Sequence, residues 1–215
     1  MITQKILAFN GSPRKEGNTS LLIKSVFEEL NKSEIETELI HVGKKQLQGC
    51  IACMKCWENK DGHCAMGNDS VNEYLDKIKE SDGLILGSPV YCASLSAQIK
   101  AFMDRVSMVS CANDHMLKRK VGAAVVAVRR AGAVFTFNTM NNFFTILQMV
   151  VVSSSYWNMG YCMDEGEVLK DTEGMQTMRN LGRNMAWILK SIKAGKEKGI
   201  QEPETKVEVL MNFIR

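Results

Sequence analysis

Short apolar runs alternate along this chain with longer segments whose apolar residues recur at helical spacing. Two of the runs, GLILG at 83–87 and VGAAVVAV at 121–128, are apolar without alternation, which is typical of strands covered on both faces. Between the runs, apolar residues form single helical stripes within 22–30, 95–106 and 175–192. This alternation predicts an α/β fold with a parallel sheet and helices on both faces. The predicted strands cover 6–9, 38–42, 83–87, 121–128 and a fifth segment within 149–157.

Three loops follow predicted strands of this sheet. They cover residues 11–20, 88–96 and 129–136. In open α/β sheets the ligand binds beyond the carboxyl ends of the strands. We therefore expect the three loops to lie at one edge of the sheet and to share one ligand.

The first loop has the composition of an anion-binding site. Gly11 permits a tight turn after the strand, and Gly17 permits close approach of a ligand to the backbone. Arg14 can offer a fork of donors to phosphate oxygens, and the following helix start supplies N–H groups and a positive dipole end. These features predict a phosphate cradle, with a capped helix start that binds no ligand as the alternative. The short donor side chains of the cradle are Ser12, Asn18, Thr19 and Ser20.

Residue spacing excludes two other phosphate-binding loops. A P-loop requires Gly-x4-Gly-Lys-Ser/Thr, whereas five residues separate Gly11 from Gly17 and Asn18 stands in place of the lysine. The dinucleotide fingerprint Gly-x-Gly-x-x-Gly does not occur in the sequence. The expected ligand is therefore neither a nucleoside triphosphate in a P-loop nor a dinucleotide on that fingerprint.

The second loop predicts a contact with a flat ring. Pro89 removes a hydrogen-bond donor from the strand and forces a turn. We expect this turn to aim the N–H groups of Val90 and Tyr91 at the edge of a heterocycle, with the Tyr91 ring adding an aromatic contact.

Two segments together resemble a known family. GSPRKEGNTS at 11–20 and SPVYCASLSAQIKAFMDR at 88–105 resemble the NAD(P)H-dependent FMN reductases of the flavodoxin-like superfamily. The resemblance runs from residue 5 to about residue 189 and implies a flavodoxin-like three-layer sandwich with a five-stranded parallel sheet, as one domain over 1–195. It implies FMN, with its phosphate at Ser12, Arg14, Asn18, Thr19 and Ser20 and its isoalloxazine against Pro89, Val90, Tyr91, Cys92, Ala93 and Ser94.

The third loop is expected to contact the same flavin. Gly132 allows close approach, and Arg130 can stabilise negative charge at the pyrimidine end of a reduced flavin. Relatives often carry two glycines here, whereas this chain has Gly132-Ala133. A solvated arginine pair, Arg129 and Arg130, is the alternative interpretation.

A dense cysteine segment follows the second strand, within an insertion at 49–66. Its spacing is Cys-x2-Cys-x2-Cys-x7-Cys, and four thiolates in one loop can ligate a tetrahedral metal ion or a cubane cluster. The segment resembles the compact cysteine motif of iron–sulfur flavoproteins, which carry FMN and a 4Fe-4S cluster and pass electrons between them. Zinc and unliganded or redox-active thiols remain alternatives. The candidate metal ligands are Cys50, Cys53, Cys56 and Cys64, while Cys92, Cys111 and Cys162 are expected to be small buried residues.

Composition limits the setting of the protein. At 215 residues and 45% hydrophobic content, one domain can bury a full core. The 27 Lys and Arg residues barely outnumber the 24 Asp and Glu residues, so neither a nucleic acid nor a membrane is an expected partner. Seven cysteines with no apparent signal peptide predict a cytoplasmic protein with reduced thiols or metal ligands.

The sequence thus predicts an FMN-dependent oxidoreductase. Hydride transfer from NAD(P)H to the flavin above 89–94 would be followed by reduction of a quinone, azo or nitro compound, free flavin or another acceptor. The family resemblance implies a homodimer or homotetramer, and the tail at 196–215 is a candidate interface arm. The alternatives are an iron–sulfur flavoprotein served by ferredoxin, a non-enzymatic flavin- or phosphate-binding regulator, and a zinc-stabilised interaction module.

Overall fold

The computed structural model describes residues 4–205 and 209. A parallel sheet lies at its centre, with the strand order β2-β1-β3-β4-β5 and a short β6 that also pairs with β4. This is the strand order of the flavodoxin-like fold that the resemblance implies. The strands are β1 (Lys5–Asn10), β2 (Glu36–His41), β3 (Gly83–Pro89), β4 (Val121–Val128), β5 (Val150–Val151) and β6 (Met159–Tyr161).

Helices cover both faces of the sheet. On one face, α1 and α6 pack on a cluster that contains Ile6 and Ala8, and on the other, α3, α4 and α5 pack on a cluster that contains Leu7 and Phe9. All four of these β1 side chains are fully buried, which explains why the strand shows no polar alternation. The helices are α1 (Asn18–Lys32), α2 (Lys55–Asn59), α3 (Val71–Glu80), α4 (Ala97–Ala112), α5 (Ala133–Ile146) and α6 (Thr172–Glu197).

The fifth strand, predicted within 149–157, is formed there only by the two residues of β5, while β6 lies beyond that segment. β5 pairs with the start of β4, and β6 pairs with its end, so the two short strands share one position in the sheet. Between them, the Ser154 hydroxyl donates to the Tyr156 carbonyl oxygen at 2.6 Å, and it lies 2.6 Å from Asn158 Oδ1. A hydroxyl that bonds its neighbouring backbone stabilises a turn, and this turn interrupts the strand.

The last helix of the described residues runs past residue 195, where the sequence analysis ended the domain. Helix α6 extends to Glu197, and the chain then folds back so that Glu202 pairs with Lys196 at 2.7 Å and with Arg119 at 3.5 Å. The last part of the proposed interface arm, residues 206–208 and 210–215, lies outside the described residues. No helix in the described ranges is long and apolar enough to cross a membrane.

The close packing of α1 against α6 predicts how alanine at two glycine positions of α6 changes the free energy of unfolding. A Cβ on Gly182 of α6 would lie 2.6 Å from the Val26 carbonyl oxygen of α1, whereas a Cβ on Gly195 of the same helix would meet nothing closer than 3.5 Å. We expect Gly182→Ala to lower the free energy of unfolding by about 1–3 kcal/mol because the backbones must separate. Gly195→Ala should raise it by about 0.5–1 kcal/mol, since alanine loses less entropy in a helix. Urea unfolding of both variants tests this, and equal effects would contradict the packing argument.

Candidate functional site

The phosphate loop is shaped by a buried asparagine at the end of β1. Asn10 is fully buried, and its Oδ1 accepts a 2.8 Å hydrogen bond from the Ser12 N–H. Its Nδ2 donates to the Ser20 hydroxyl at 2.7 Å. Asn10 therefore ties both ends of the loop together. The sequence analysis missed this role, and only the position of Asn10 at the end of a strand could have suggested it.

The N-terminus of α1 has no side-chain cap. Gly17 occupies the N-cap position with extended backbone angles, and no side chain accepts a hydrogen bond there. The first N–H groups of a helix have no partner within the helix. The N–H groups of Asn18, Thr19 and Ser20 are therefore available to an external anion, as the cradle hypothesis requires.

Two of the predicted cradle side chains serve the protein instead. Ser20 is fully buried, and its hydroxyl donates to the Lys15 carbonyl oxygen, so it stabilises the loop rather than facing a ligand. The Asn18 amide donates to the Asp164 carbonyl oxygen at 2.8 Å and accepts from the Val168 N–H at 3.3 Å. The Asn18 side chain thereby anchors the loop that follows β6. Only the backbone N–H of Asn18 is left to bind a phosphate.

One cleft joins the first two predicted loops and the first residue of the third, Arg129. It has a volume of about 180 Å³, and the loop after β6 forms part of its wall through Cys162 and Met163, which the sequence analysis did not place there. The predicted residues Gly17, Ser20, Cys92, Ala93, Ser94, Arg130 and Gly132 do not line it. Those that do are Ser12, Arg14, Asn18, Thr19, Pro89, Val90 and Tyr91, joined by Ala127, Val128 and Arg129.

The second loop is a tight turn whose hydrogen bonds differ from the expectation. The Tyr91 N–H donates to the Ser94 carbonyl oxygen at 2.7 Å, and the Val90 N–H donates to the Ala127 carbonyl oxygen at 3.0 Å. The expectation that these two N–H groups face a heterocycle is therefore wrong. Cys92 and Ala93 both have positive φ, at 45° and 67°, as in the two-residue turns that join antiparallel strands. Their N–H groups stand at the tip of the turn.

The third loop packs directly on this turn. Gly132 has φ of 90°, and a Cβ there would lie 2.8 Å from Val90 Cγ1 and 3.0 Å from the Ala93 Cα. The close approach that the sequence predicted at Gly132 is thus an approach of loop to loop. Arg129 and Arg130 are both exposed, and it is Arg129 that lines the cleft.

The four clustered cysteines line one side of a small cavity whose other side is α4. The cavity measures about 20 Å³, and Cys50, Cys53, Cys56 and Cys64 all line it. The backbone adopts left-handed angles at Ala52 and Met54, and the Ala52 N–H donates to Cys50 Sγ at 3.4 Å. Burial raises the pKa of the Cys56 thiol, so a bound metal would have to supply the charge that ionises it.

The three isolated cysteines are less buried than expected. Cys92 is exposed at the tip of the second loop, which contradicts its predicted burial, while Cys111 and Cys162 are half-buried. Burial raises the pKa of the Cys111 and Cys162 thiols and so favours their neutral form. No disulfide joins any of the seven cysteines.

Structural comparison shows the same fold in flavin-binding proteins. The structure of RosB with bound 8-demethyl-8-formylriboflavin-5'-phosphate is 19% identical, with a TM-score of 0.69 over 99% of this chain and 94% of that one. A WrbA-like flavodoxin from Agrobacterium tumefaciens is 16% identical, with a TM-score of 0.61 over 88% of this chain and 99% of that one. At this level of identity the likeness establishes the flavodoxin-like fold.

Sequence comparison establishes the family. The model of the NADPH-dependent FMN reductase family matches residues 4–164. An iron–sulfur flavoprotein from Methanocaldococcus jannaschii is 40% identical over 196 residues, which cover 88% of this chain and 99% of that protein. Another from Methanosarcina thermophila is 30% identical over 90% of this chain and 100% of its own length. This chain therefore belongs to the family of NADPH-dependent FMN reductases and iron–sulfur flavoproteins and is a flavin-dependent oxidoreductase.

Proposed function

We propose that this oxidoreductase binds FMN in the cleft and a 4Fe-4S cluster at the cysteine cavity, and that it carries electrons between an external donor and an acceptor through both. One observation carries the proposal. All four clustered cysteines line a single cavity against α4, and α4 begins at Ala97, directly after the second cleft loop. One helix thus runs from the proposed flavin site to the proposed cluster site.

The cleft has the donors that a flavin phosphate needs. The uncapped start of α1 offers backbone N–H groups, and Arg14 lines the same cleft. Hydrogen bonds to a charged group contribute about 1.5–3 kcal/mol each, so a few of them account for tight binding of a monophosphate. Pro89 and Tyr91 line the cleft beyond the phosphate loop, where they offer apolar contact to a flat ring.

The cysteine segment has the donor chemistry of a cluster site. Four cysteines line one cavity, and the backbone between them turns sharply, with left-handed angles at Ala52 and Met54. As placed, no three of the described Cys, His, Asp or Glu side chains are close enough to hold a single metal ion. A cluster of several irons holds its thiolates farther apart than one ion does, and the exposed Cys50 and Cys53 side chains can rotate towards it.

The chain's own residues supply placement. When bound, FMN exchanges two electrons with small molecules, and an iron–sulfur cluster transfers electrons singly. The first loop and the α1 N-terminus fix the phosphate and hence the position of the ring. The packing of Gly132 against Val90 fixes the wall beside that ring. The cysteine segment, with Ile51, Met54 and Trp57 exposed, presents the cluster site to the surface, where a protein electron donor such as ferredoxin can reach it.

A second candidate is direct hydride transfer from NADH or NADPH. Two points favour it: the matched family is that of NADPH-dependent FMN reductases, and Arg129 is a cation at the cleft that can bind the phosphates of a nicotinamide nucleotide. In both candidates the acceptor is a small molecule, such as a quinone, an azo or nitro compound, or free flavin.

We further propose a homodimer or homotetramer in the reducing cytoplasm. The cleft volume of about 180 Å³ is below the range of about 300–1,000 Å³ typical of small-molecule pockets, and Tyr91 at its edge is 47% exposed. A second copy of this chain, packed at the edge of the cleft, would shield the rest of the flavin ring from solvent. The free thiols of all seven cysteines suit a reducing compartment.

Anaerobically purified and reconstituted protein tests the proposal. We expect flavin absorption bands, a broad iron–sulfur absorption, four irons and acid-labile sulfide per FMN, and rapid reduction by reduced ferredoxin. Colourless protein that binds no added FMN would overturn the proposal as a whole, and flavin without iron would overturn its cluster. Fast reduction by NADPH together with none by ferredoxin would establish the second candidate.

A further inference from the structure

The cysteine segment is held by a completely buried arginine. Arg105 of α4 has 0% exposure and is the largest fully buried side chain among the described residues. Its guanidinium Nη1 forms an ion pair with Asp69, and its Nη2 donates to the Met66 carbonyl oxygen at 2.5 Å. Its Nε donates to Cys64 Sγ at 3.3 Å, and Nη1 also lies 3.5 Å from the Gln48 carbonyl oxygen.

These contacts join both ends of the cysteine segment. Gln48 precedes the first clustered cysteine, whereas Met66 and Asp69 follow the last one. The planar fork of arginine suits such a set of diverging acceptors, and lysine cannot reproduce it. Arg105 therefore fixes the position of Cys64 relative to α4.

The same contacts put a charge beside the thiols. Within the described part of the chain, Arg105 is the one charged residue among those lining the cysteine cavity. Its partner Asp69 is also almost fully buried, with 9% of its side chain exposed. Charges in a buried site are weakly screened, so both act strongly on any neighbouring group that changes its charge.

We propose that Arg105 is a positioning residue that also raises the reduction potential of the cluster, through its hydrogen bond to Cys64 and its buried positive charge. This inference rests on the cluster in the proposed function. Reduction adds one electron to the cluster and breaks no bond, so the reduced state is the more negative one. Donors and positive charge near the cysteine sulfurs stabilise that state, which shifts the potential upwards.

Four variants separate charge from structure. In Arg105→Met the hydrogen bond and the cation are lost, and in Arg105→Lys a cation remains without the arginine fork. Asp69→Asn removes the opposing negative charge. Asp104→Asn is the control, because Asp104 is adjacent on α4 but 43% exposed, outside the cavity and paired with Lys100.

The measurement is the cluster midpoint potential by anaerobic redox titration, with the FMN potential and FMN content followed in the same samples. We expect Arg105→Met to lower the equilibrium constant for cluster reduction at least tenfold, a shift of about 59 mV for one electron. Arg105→Lys should give a smaller decrease, Asp69→Asn an increase, and Asp104→Asn no change. A structural role alone would not produce shifts of opposite sign.

The outcomes distinguish the inference from the proposed function. Reconstituted wild-type protein without iron would overturn the proposed cluster and this inference with it. If the wild type holds the cluster but has the same cluster midpoint potential as the Arg105 and Asp69 variants, the inference about Arg105 is overturned while the proposed function stands. If Arg105→Met does not fold, as far-ultraviolet circular dichroism would show, the opposite shifts of Arg105→Lys and Asp69→Asn decide the question.

Discussion

Replacing Cys53 by serine is expected to abolish cluster assembly while FMN binding remains. Cys53 lines the cysteine cavity and is exposed, so its loss disturbs little of the packed core. A serine hydroxyl is a much poorer ligand than a thiolate, and a 4Fe-4S cluster needs four cysteine ligands. The measurement is iron and acid-labile sulfide per FMN after anaerobic reconstitution of wild type and variant.

Cys111→Ser is the matched control for this experiment. Cys111 lies near the end of α4, is half-buried and does not line the cavity. It should retain the full iron content. Iron retained in Cys53→Ser would show a different ligand set, and loss of FMN from that variant would show that the cysteine segment supports the flavin cleft. Zinc in place of iron in the wild type would support the zinc alternative.

Local pattern was sufficient for most of the fold. The apolar runs that form β1, β3 and β4 are buried on both sides. Their lack of alternation between apolar and polar residues therefore correctly predicted strands covered on both faces. Helix α3 was missed although its stripe is present, with Val71, Leu75 and Ile78 all buried at helical spacing. Helix α5 was missed for a physical reason: its Phe, Thr and Asn residues have low helix propensity, and Phe135 is exposed.

The candidate site was predictable where a backbone feature defines it. The helix start after Gly17 follows from local sequence, and so does a turn after Pro89, whereas the absence of a side-chain cap at Gly17 required the structure. Long-range contacts were beyond local reasoning: the bond from Asn18 to Asp164 spans 146 residues, and the Val90 N–H is taken by Ala127 of a neighbouring strand. Sequence pattern thus located the loops, whereas the side chains that face the cleft required the tertiary structure.

The phosphate cradle gives the second large prediction, a loss of FMN on replacing Gly17 by aspartate. Gly17 is the N-cap of α1 with φ of −72° and ψ of 178°, angles that any residue can adopt. Aspartate is among the best N-cap residues, so its carboxylate will accept hydrogen bonds from the first-turn N–H groups. That carboxylate occupies the donors a phosphate would use, and it repels the phosphate charge.

The matched variant is Gly17→Asn, which caps the helix equally well without a charge. Both side chains meet the same neighbour, since a Cβ at Gly17 would lie 2.8 Å from the Cβ of Arg14, so the loop backbone must shift by the same amount in the two variants. Two unit charges about 4 Å apart near a protein surface repel by about 4 kcal/mol, and about 2.8 kcal/mol already corresponds to a hundredfold loss of affinity. Fluorescence titration with FMN should therefore show at least a hundredfold weaker binding for Gly17→Asp than for Gly17→Asn, with similar thermal stability of the two apoproteins. Equal affinities would mean that the phosphate does not bind at the N-terminus of α1, because only the charge at that position differs between the two proteins.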